Sequence, residues 1–165
     1  MLDSKEPEIQ IQRVDHFQDL LSIPFELSKN AICWTRNLKG DFAELVNKLK
    51  LKENITEIDT EDLLKLQLSE TGKLARKIIL NDMKVLKENG ASPSLNLIKY
   101  YEKDESFFPT DVYSFHVDRS PIPTATFLCT YYGKPSEVVS NEEAKQKILI
   151  PEIRTQLKNI FEGPE

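Results

Sequence analysis

The sequence lacks the features that several large classes of protein need. Its 165 residues include only five glycines, and neither a GxGxxG nor a GxxxxGK[ST] motif can be written. Folds that bind nucleotides through a glycine-rich loop are therefore disfavoured. No apolar run approaches the ~20 residues that span a bilayer, and the acidic, polar start MLDSKEPEIQIQ is unlike a signal peptide. We expect no membrane partner and a cytoplasmic location.

Cysteine is also scarce, and basic residues are outnumbered by acidic ones. Cys33 and Cys129 lie in the apolar runs AICW and FLCTYY without any CxxC pair, which favours two reduced, buried thiols over a zinc site. The 22 basic and 27 acidic residues give a net charge of −5. No nucleic-acid partner is expected, because that affinity comes mainly from lysine and arginine neutralising phosphates.

What is present is the composition of a globular protein, with 39% hydrophobic and 30% charged residues. A chain of this length can bury a sizeable core. We expect a single domain over residues 1–165, which is either complete or the N-terminal portion of a longer protein. Residues 1–8 are polar and are expected to be disordered.

Helical patterns dominate the first half of the chain. The predicted helices cover residues 14–22, 42–50 and 60–89. Asp41 is a suitable N-cap for the second helix. Gly72 divides the third pattern into two helices, with Ser69 capping the second of them and Gly90 ending it.

Strand patterns follow, and helical patterns return at the end. The predicted strands lie at 31–36, 94–103, 112–118 and 124–132. Ser140 and Glu143 form a capping-box pattern for a helix near 141, and Pro151 begins another helix whose apolar face could dock on a protein partner through residues 151–161. The order predicts an α+β fold, with a helix-rich N-terminal half packed on a small, mostly antiparallel sheet and with C-terminal helices.

One short motif points to chemistry. On a strand over 112–118, Ser114, His116 and Asp118 would share one face. A histidine and a carboxylate on one face are two-thirds of the facial triad of non-haem iron(II) oxygenases. The alternative is structural, in which Asp118 hydrogen-bonds His116 or pairs with Arg119 or Lys134.

A family resemblance adds to this motif. The run FHVDR, followed by LCTYYGKPSE, resembles the core of an uncharacterised bacterial domain-of-unknown-function family with a Phe-His-x-Asp segment and a Thr-Tyr-x-Gly segment. That family also has a Trp-x-Arg segment, matched here by Trp34-Thr35-Arg36. The resemblance covers 31–36 and 115–137 and implies a distant similarity to jelly-roll oxygenases of the cupin type. It implies that His116 and Asp118 bind iron(II) or another divalent metal.

The chain departs from the family pattern in one important respect. The family has a distal His-Arg-Ser/Ala-Pro segment that would supply the second histidine, and this sequence contains none. Its other histidine, His16, matches nothing in the pattern. A closed jelly roll needs about eight strands, so the strands predicted here are expected to give a partial one.

Two functional hypotheses remain open. In the first, the chain is a non-haem metal-dependent enzyme or the remnant of one, with Arg36 and Ser114 as cofactor-binding residues. Arg36 would clamp a co-substrate acid such as 2-oxoglutarate, and Ser114 would support the ligand histidine. In the second, the same face binds a small molecule or a protein without metal. The structural alternative for Arg36 is a surface arginine beside a core tryptophan.

Overall fold

The structure, a computed structural model, describes residues 11–25, 29, 31–109, 111–117, 122, 124–140 and 143–161. The regular elements are β1 (Ile11–Val14), α1 (Phe17–Ser22), β2 (Ala31–Trp34), α2 (Phe42–Lys48), β3 (Ile55–Glu57), α3 (Thr60–Lys65), α4 (Glu70–Glu88), β4 (Asn96–Ile98), a 3-10 helix (Lys147–Leu149) and α5 (Pro151–Phe161). The expected mixed α+β class is confirmed. Among the described residues, we find no helix that combines the length and the hydrophobicity of a membrane span. Residues 1–8, expected to be disordered, lie outside the described residues.

The chain divides into two compact units, Met1–Lys39 and Gly40–Glu165. The first unit is a strand–helix–strand arrangement in which β1 and β2 pair in parallel, with Val14 opposite Trp34. The indole Nε1 of Trp34 donates to the carbonyl of Asp15 at 2.9 Å, and Phe17 of α1 meets the Trp34 ring edge-on at 5.9 Å. The predictions of β2 and α1 are confirmed, whereas β1 was not predicted.

Two helices of the second unit, α2 and α4, begin at residues whose side chains cap them. Asp41 accepts a hydrogen bond from the backbone N–H of Glu44 at 2.9 Å, and Ser69 accepts one from Gly72 at 3.1 Å. Each side chain satisfies a donor that the helix itself leaves unpaired. Gly90 follows α4 with φ +84°, a conformation that favours glycine. These predicted caps are confirmed. Residues 60–89 do form two helices, but the break lies at residues 66–69, and Gly72 belongs to the first turn of α4 instead of dividing the helices.

The core of this unit lies between the helices. The buried apolar side chains are Phe42, Leu45, Ile58, Leu63, Ala75 and Ile79. Gly40 permits the close approach of the chain to α4, because it has φ +140° and a Cβ there would lie 2.7 Å from the backbone nitrogen of Ala75. The backbone N–H of Asp41 then donates to the carbonyl of Thr71 at 3.0 Å.

The described strands form two sheets of two strands each. One sheet is the parallel pair β1 and β2, and the other is the antiparallel pair β3 and β4, with Ile55 opposite Ile98. The strand predicted at 94–103 is thus confirmed over three residues. The expected mostly antiparallel arrangement applies to one of the two sheets, and the described residues show no jelly roll.

The strand predicted at 112–118 is wrong over its described residues, which form a turn and irregular backbone. Asp111 accounts for this difference. Its carboxylate accepts from the backbone N–H of Tyr113 at 2.9 Å and from that of Asp104 at 2.8 Å, while Ser114 donates its hydroxyl to the Asp111 carbonyl at 3.2 Å. An aspartate that binds nearby backbone in this way competes with strand pairing.

Two further predictions of regular structure fail. Residues 124–132 form no strand, and the Tyr131 side chain of this segment contacts α2 and α4. No α-helix continues from Glu143 and only the short 3-10 helix Lys147–Leu149 follows before Pro151, although Ser140 accepts from the Glu143 N–H at 3.2 Å as a capping box requires. Residues 141–142 lie outside the described part, and Ile150 has extended backbone (φ −90°, ψ 118°), as expected before Pro151. The helix predicted from Pro151 is confirmed as α5.

Candidate functional site

The predicted ligand histidine lies just after the turn at Asp111. His116 is exposed, and its Nδ1 lies 2.7 Å from the backbone carbonyl of Ser114. A carbonyl only accepts, so Nδ1 carries the proton, and in the neutral ring Nε2 carries the lone pair. Ser114 therefore orients His116, through its backbone rather than its hydroxyl. A hydrogen bond of this kind is usual for histidines that bind metal through the other nitrogen.

The second predicted ligand, Asp118, lies outside the described residues. Strand geometry does not place Asp118 on the same face as His116, because residues 115–117 are not a strand. Within the described ranges, no group of three or more His, Cys, Asp or Glu side chains is placed to hold a metal ion. The metal pair stays a prediction from the sequence.

Arg36, the predicted acid clamp, lies in the first unit. Its guanidinium carbon is 4.2 Å from the centre of the Trp34 ring, a cation–π contact. Ser114 and His116 lie in the second unit. The structure thus gives Arg36 a stacking role, and its role as a carboxylate clamp stays a prediction.

Sequence reasoning missed a polar cluster at Tyr131. The Tyr131 hydroxyl donates to the Asp82 carboxylate at 2.8 Å, and its ring stacks on Phe42 at 5.6 Å. Burial, the hydrogen bond to Asp82 and the nearby Cys129 side chain all raise the pKa of Tyr131 well above its usual range. Tyr131 therefore stays protonated at neutral pH and acts as an anchor rather than as an acid or base. The sequence did contain a signal for this cluster, because the polar Asp82 interrupts the apolar stripe of α4.

The cysteine prediction is only partly correct. Cys33 and Cys129 are free thiols as predicted, but Cys129 is exposed and Cys33 is half-buried.

A second polar cluster centres on Glu44. Its carboxylate accepts from the Lys48 ammonium at 2.8 Å and from both the backbone N–H and the hydroxyl of Ser69 at 3.0 and 2.5 Å. Lys48 also donates to the carbonyl of Gln67. The hydrogen bonds from Lys48 and Ser69 lower the pKa of Glu44 to about 2. This cluster ties α2 to the start of α4, so its role is structural.

Two surface grooves of the second unit contain none of the predicted site residues. The larger, about 640 Å³, is lined by Glu53, Asn54, Ile55, Tyr100 and Glu102. The smaller, about 340 Å³, is lined by Lys73, Arg76, Lys77, Leu80, Asn81 and Lys84, all from α4. Because one helix alone forms the smaller groove, it is a solvated face rather than a closed pocket.

The C-terminal helix α5 has an apolar face that is only partly covered. It contains no buried residue; Ile153 and Leu157 are half-buried, while Ile160 and Phe161 are exposed. Among the described helices and strands, its substantial contacts are with the 3-10 helix that precedes it. An amphipathic helix normally buries this face against another element.

Comparisons with known proteins do not assign the chain to a family. No protein-family model matches it. No curated protein and no solved structure matches it either. The likeness of residues 31–36 and 115–137 to an uncharacterised bacterial family therefore remains a resemblance of short motifs.

Proposed function

We propose that this chain is a non-catalytic protein-binding module in which a partner protein covers the C-terminal part, residues 107–161. One observation carries the proposal. Every buried apolar side chain of the described residues lies between Val14 and Ile79. From residue 107 onward, the large apolar side chains of the described residues are exposed or half-buried, with Phe107 78%, Leu128 76% and Phe161 77% exposed.

The energetic argument follows from this distribution. Burying one Leu or Phe side chain stabilises a protein by about 1.5–3 kcal/mol, whereas ordering each residue costs about 1–2 kcal/mol of backbone entropy. Residues 111–117 and 124–140 contain no helix or strand, so they gain little of this burial within the chain. A partner surface would supply it, as in segments that order on binding.

Matched leucine variants test the proposal. The full-length chain would be purified gently from its native cells, and the stoichiometry of co-purifying protein would be measured. Leu128→Ser should abolish a stoichiometric partner. Leu64→Ser, which removes the same side chain from an exposed position of α3 (56% exposed), should leave it. A monomer without a partner, or equal behaviour of the two variants, would contradict the proposal.

The second candidate function is the non-haem metal enzyme, and one observation favours it. The hydrogen bond from His116 Nδ1 to the Ser114 carbonyl, 2.7 Å, directs the ring as a metal ligand requires. His116 and Asp118 would hold iron(II) or another divalent ion, which would activate dioxygen or water. This candidate function also implies the partial jelly roll that the resemblance to cupin-type oxygenases predicts. Arg36 would bind the co-substrate carboxylate.

Metal content separates the two candidates. Protein purified without a histidine tag would be analysed for iron, zinc and manganese, alongside His116→Ala and the control His16→Ala. Stoichiometric metal that His116→Ala alone removes would favour the enzyme. The binding module predicts no stoichiometric metal in any of the three proteins.

A further inference from the structure

We infer that α5 is the docking element of this module and that it inserts into an apolar groove of a partner protein bordered on one side by carboxylates. This inference rests on the proposed function and adds the segment and the chemistry of its partner.

The apolar face of α5 has the spacing of a helix that binds in a groove. Ile153, Leu157 and Ile160 follow the i, i+4, i+7 pattern by which such helices anchor. With about 100° of rotation per residue, these three and Phe161 lie within an arc of about 100°. The face is therefore one continuous stripe, about three turns long.

The charges of α5 lie unevenly around this stripe. Arg154 and Lys158 follow one of its edges, whereas Glu152 and Gln156 lie toward the other. Neither Arg154 nor Lys158 has an ion-pair partner among the residues that the structure describes. A groove with carboxylates along one border complements this edge, and such charges select partners and speed association.

A second copy of the chain fits this helix poorly. In an antiparallel two-fold pair, the same edge of both helices meets. Arg154 and Lys158 would then face their own copies, and like charges placed together disfavour association. A parallel pair is also disfavoured, because 11 residues are fewer than two heptads and a coiled coil needs about three or four.

A lipid surface also fits poorly. Helices that lie in membrane interfaces are rich in lysine and arginine on the polar face. Residues 151–161 contain two basic residues and one acidic residue, which gives little attraction to anionic lipid. Together, the apolar face of α5 and its charged edge favour a groove on a partner protein as the binding surface.

Site-specific photo-crosslinking of the full chain tests the inference. A benzoyl-phenylalanine replaces Phe161 in one protein and Phe115 in another, and both are irradiated in native cells. We expect the probe at Phe161 to crosslink one protein, at a peptide rich in apolar residues with Asp or Glu nearby. Leu157→Asp should lower the yield roughly tenfold or more, whereas Asn159→Asp, which adds the same charge to the exposed opposite face, should retain it.

The charged edge of α5 is tested by measuring the affinity of the chain for the purified partner that crosslinking identifies. Arg154→Glu combined with Lys158→Glu should weaken its affinity by roughly tenfold, and Glu152→Gln should not. Equal effects of these changes on affinity would overturn the inference that carboxylates line one border of the groove.

The other occupants are distinguishable outcomes. Crosslinks from Phe161 to a second copy of the chain, or co-sedimentation with phosphatidylserine vesicles that Leu157→Asp abolishes, would overturn the inference. A protein crosslinked from Phe115 but not from Phe161 would overturn the role of α5 and leave the proposed function standing. Absence of protein crosslinks from both positions would overturn both.

Discussion

The hydroxyl of Tyr131 donates a hydrogen bond of 2.8 Å to the carboxylate of Asp82, although 49 positions separate the two residues. The Tyr131 ring also stacks on Phe42 of α2. This side chain therefore attaches residues 124–132 to both α2 and α4, without any strand or helix in that segment. It is one contact that holds a region of exposed apolar side chains to a packed core.

Removing the Tyr131 hydroxyl tests the strength of this attachment. We expect Tyr131→Phe to lower the free energy of unfolding by about 1.5–3 kcal/mol, because a hydrogen bond to a charged group is lost. Tyr132→Phe is the control, since Tyr132 is exposed and its change should stay within about 0.5 kcal/mol. Urea denaturation followed by circular dichroism measures both, and equal effects would refute the anchor.

The depressed pKa of Glu44 predicts a pH dependence of stability. The pKa is about 2 in the folded chain, against an ordinary value of 4.5. Stability from this carboxylate is therefore fully present above about pH 4.5 and is lost as the pH falls toward 2. Glu44→Gln should show a smaller loss of stability over that window than the wild type. Urea denaturation at several pH values, with Glu61→Gln as a control at an exposed position of α3, decides this, and parallel curves for wild type and Glu44→Gln would contradict it.

Gly72 and Glu44 should be energetically coupled in a double-mutant cycle. In the wild type, a Cβ at this position would lie 2.1 Å from Glu44 Oε2, so Gly72→Ala should displace that carboxylate from Ser69. We expect Gly72→Ala to destabilise the wild type, because the hydrogen bonds between the Glu44 carboxylate and Ser69 are lost. The same change should be less destabilising in Glu44→Ala, where the carboxylate is absent and the 3.2 Å approach to Leu68 Cβ remains. Calorimetric unfolding of the four proteins measures the coupling, and additive effects would show that the contact is unimportant.

The fluorescence of Trp34 can be used to follow its contact with Arg36. Loss of the 4.2 Å cation–π contact in Arg36→Gln should cost about 0.5–1 kcal/mol and should change the fluorescence of Trp34, the only tryptophan in the chain. The binding module predicts that 2-oxoglutarate leaves the wild-type fluorescence unchanged. A saturable change on adding 2-oxoglutarate that Arg36→Gln abolishes would instead support the metal enzyme.

The helical part of the fold follows from local sequence. Asp41 and Ser69 cap their helices within three residues of themselves, and Gly90 ends α4 through its own backbone freedom. Interactions of this short range are visible in the sequence, which is why the boundaries of α2 and α4 could be predicted closely.

The strands could not be predicted as well, because their formation depends on distant partners. The run VYSFHVD has a strand-like alternation, but the carboxylate of Asp111 binds the backbone N–H of Tyr113 and a turn forms instead. β1 pairs with a strand 20 residues further along, a partner that a local pattern cannot specify.

The candidate site shows the same difference between local contacts, which the sequence can indicate, and contacts between distant residues, which it cannot. The orientation of His116 by the backbone of Ser114 is local, and the role of Ser114 in supporting a metal ligand stays a prediction. The link between Tyr131 and Asp82 is not local. Only the interruption of the apolar stripe at Asp82 indicated that a polar partner was needed there.

The position of the core along the chain also bears on biosynthesis. The buried apolar side chains of the described residues end at Ile79, so the ribosome has added all of them before it reaches the exposed segment. At about 5–20 residues per second, translation of residues 80–150 takes on the order of 4–14 s, far longer than the microseconds in which helices form. The helices that carry the core therefore have time to form before α5, which begins at Pro151, is synthesised.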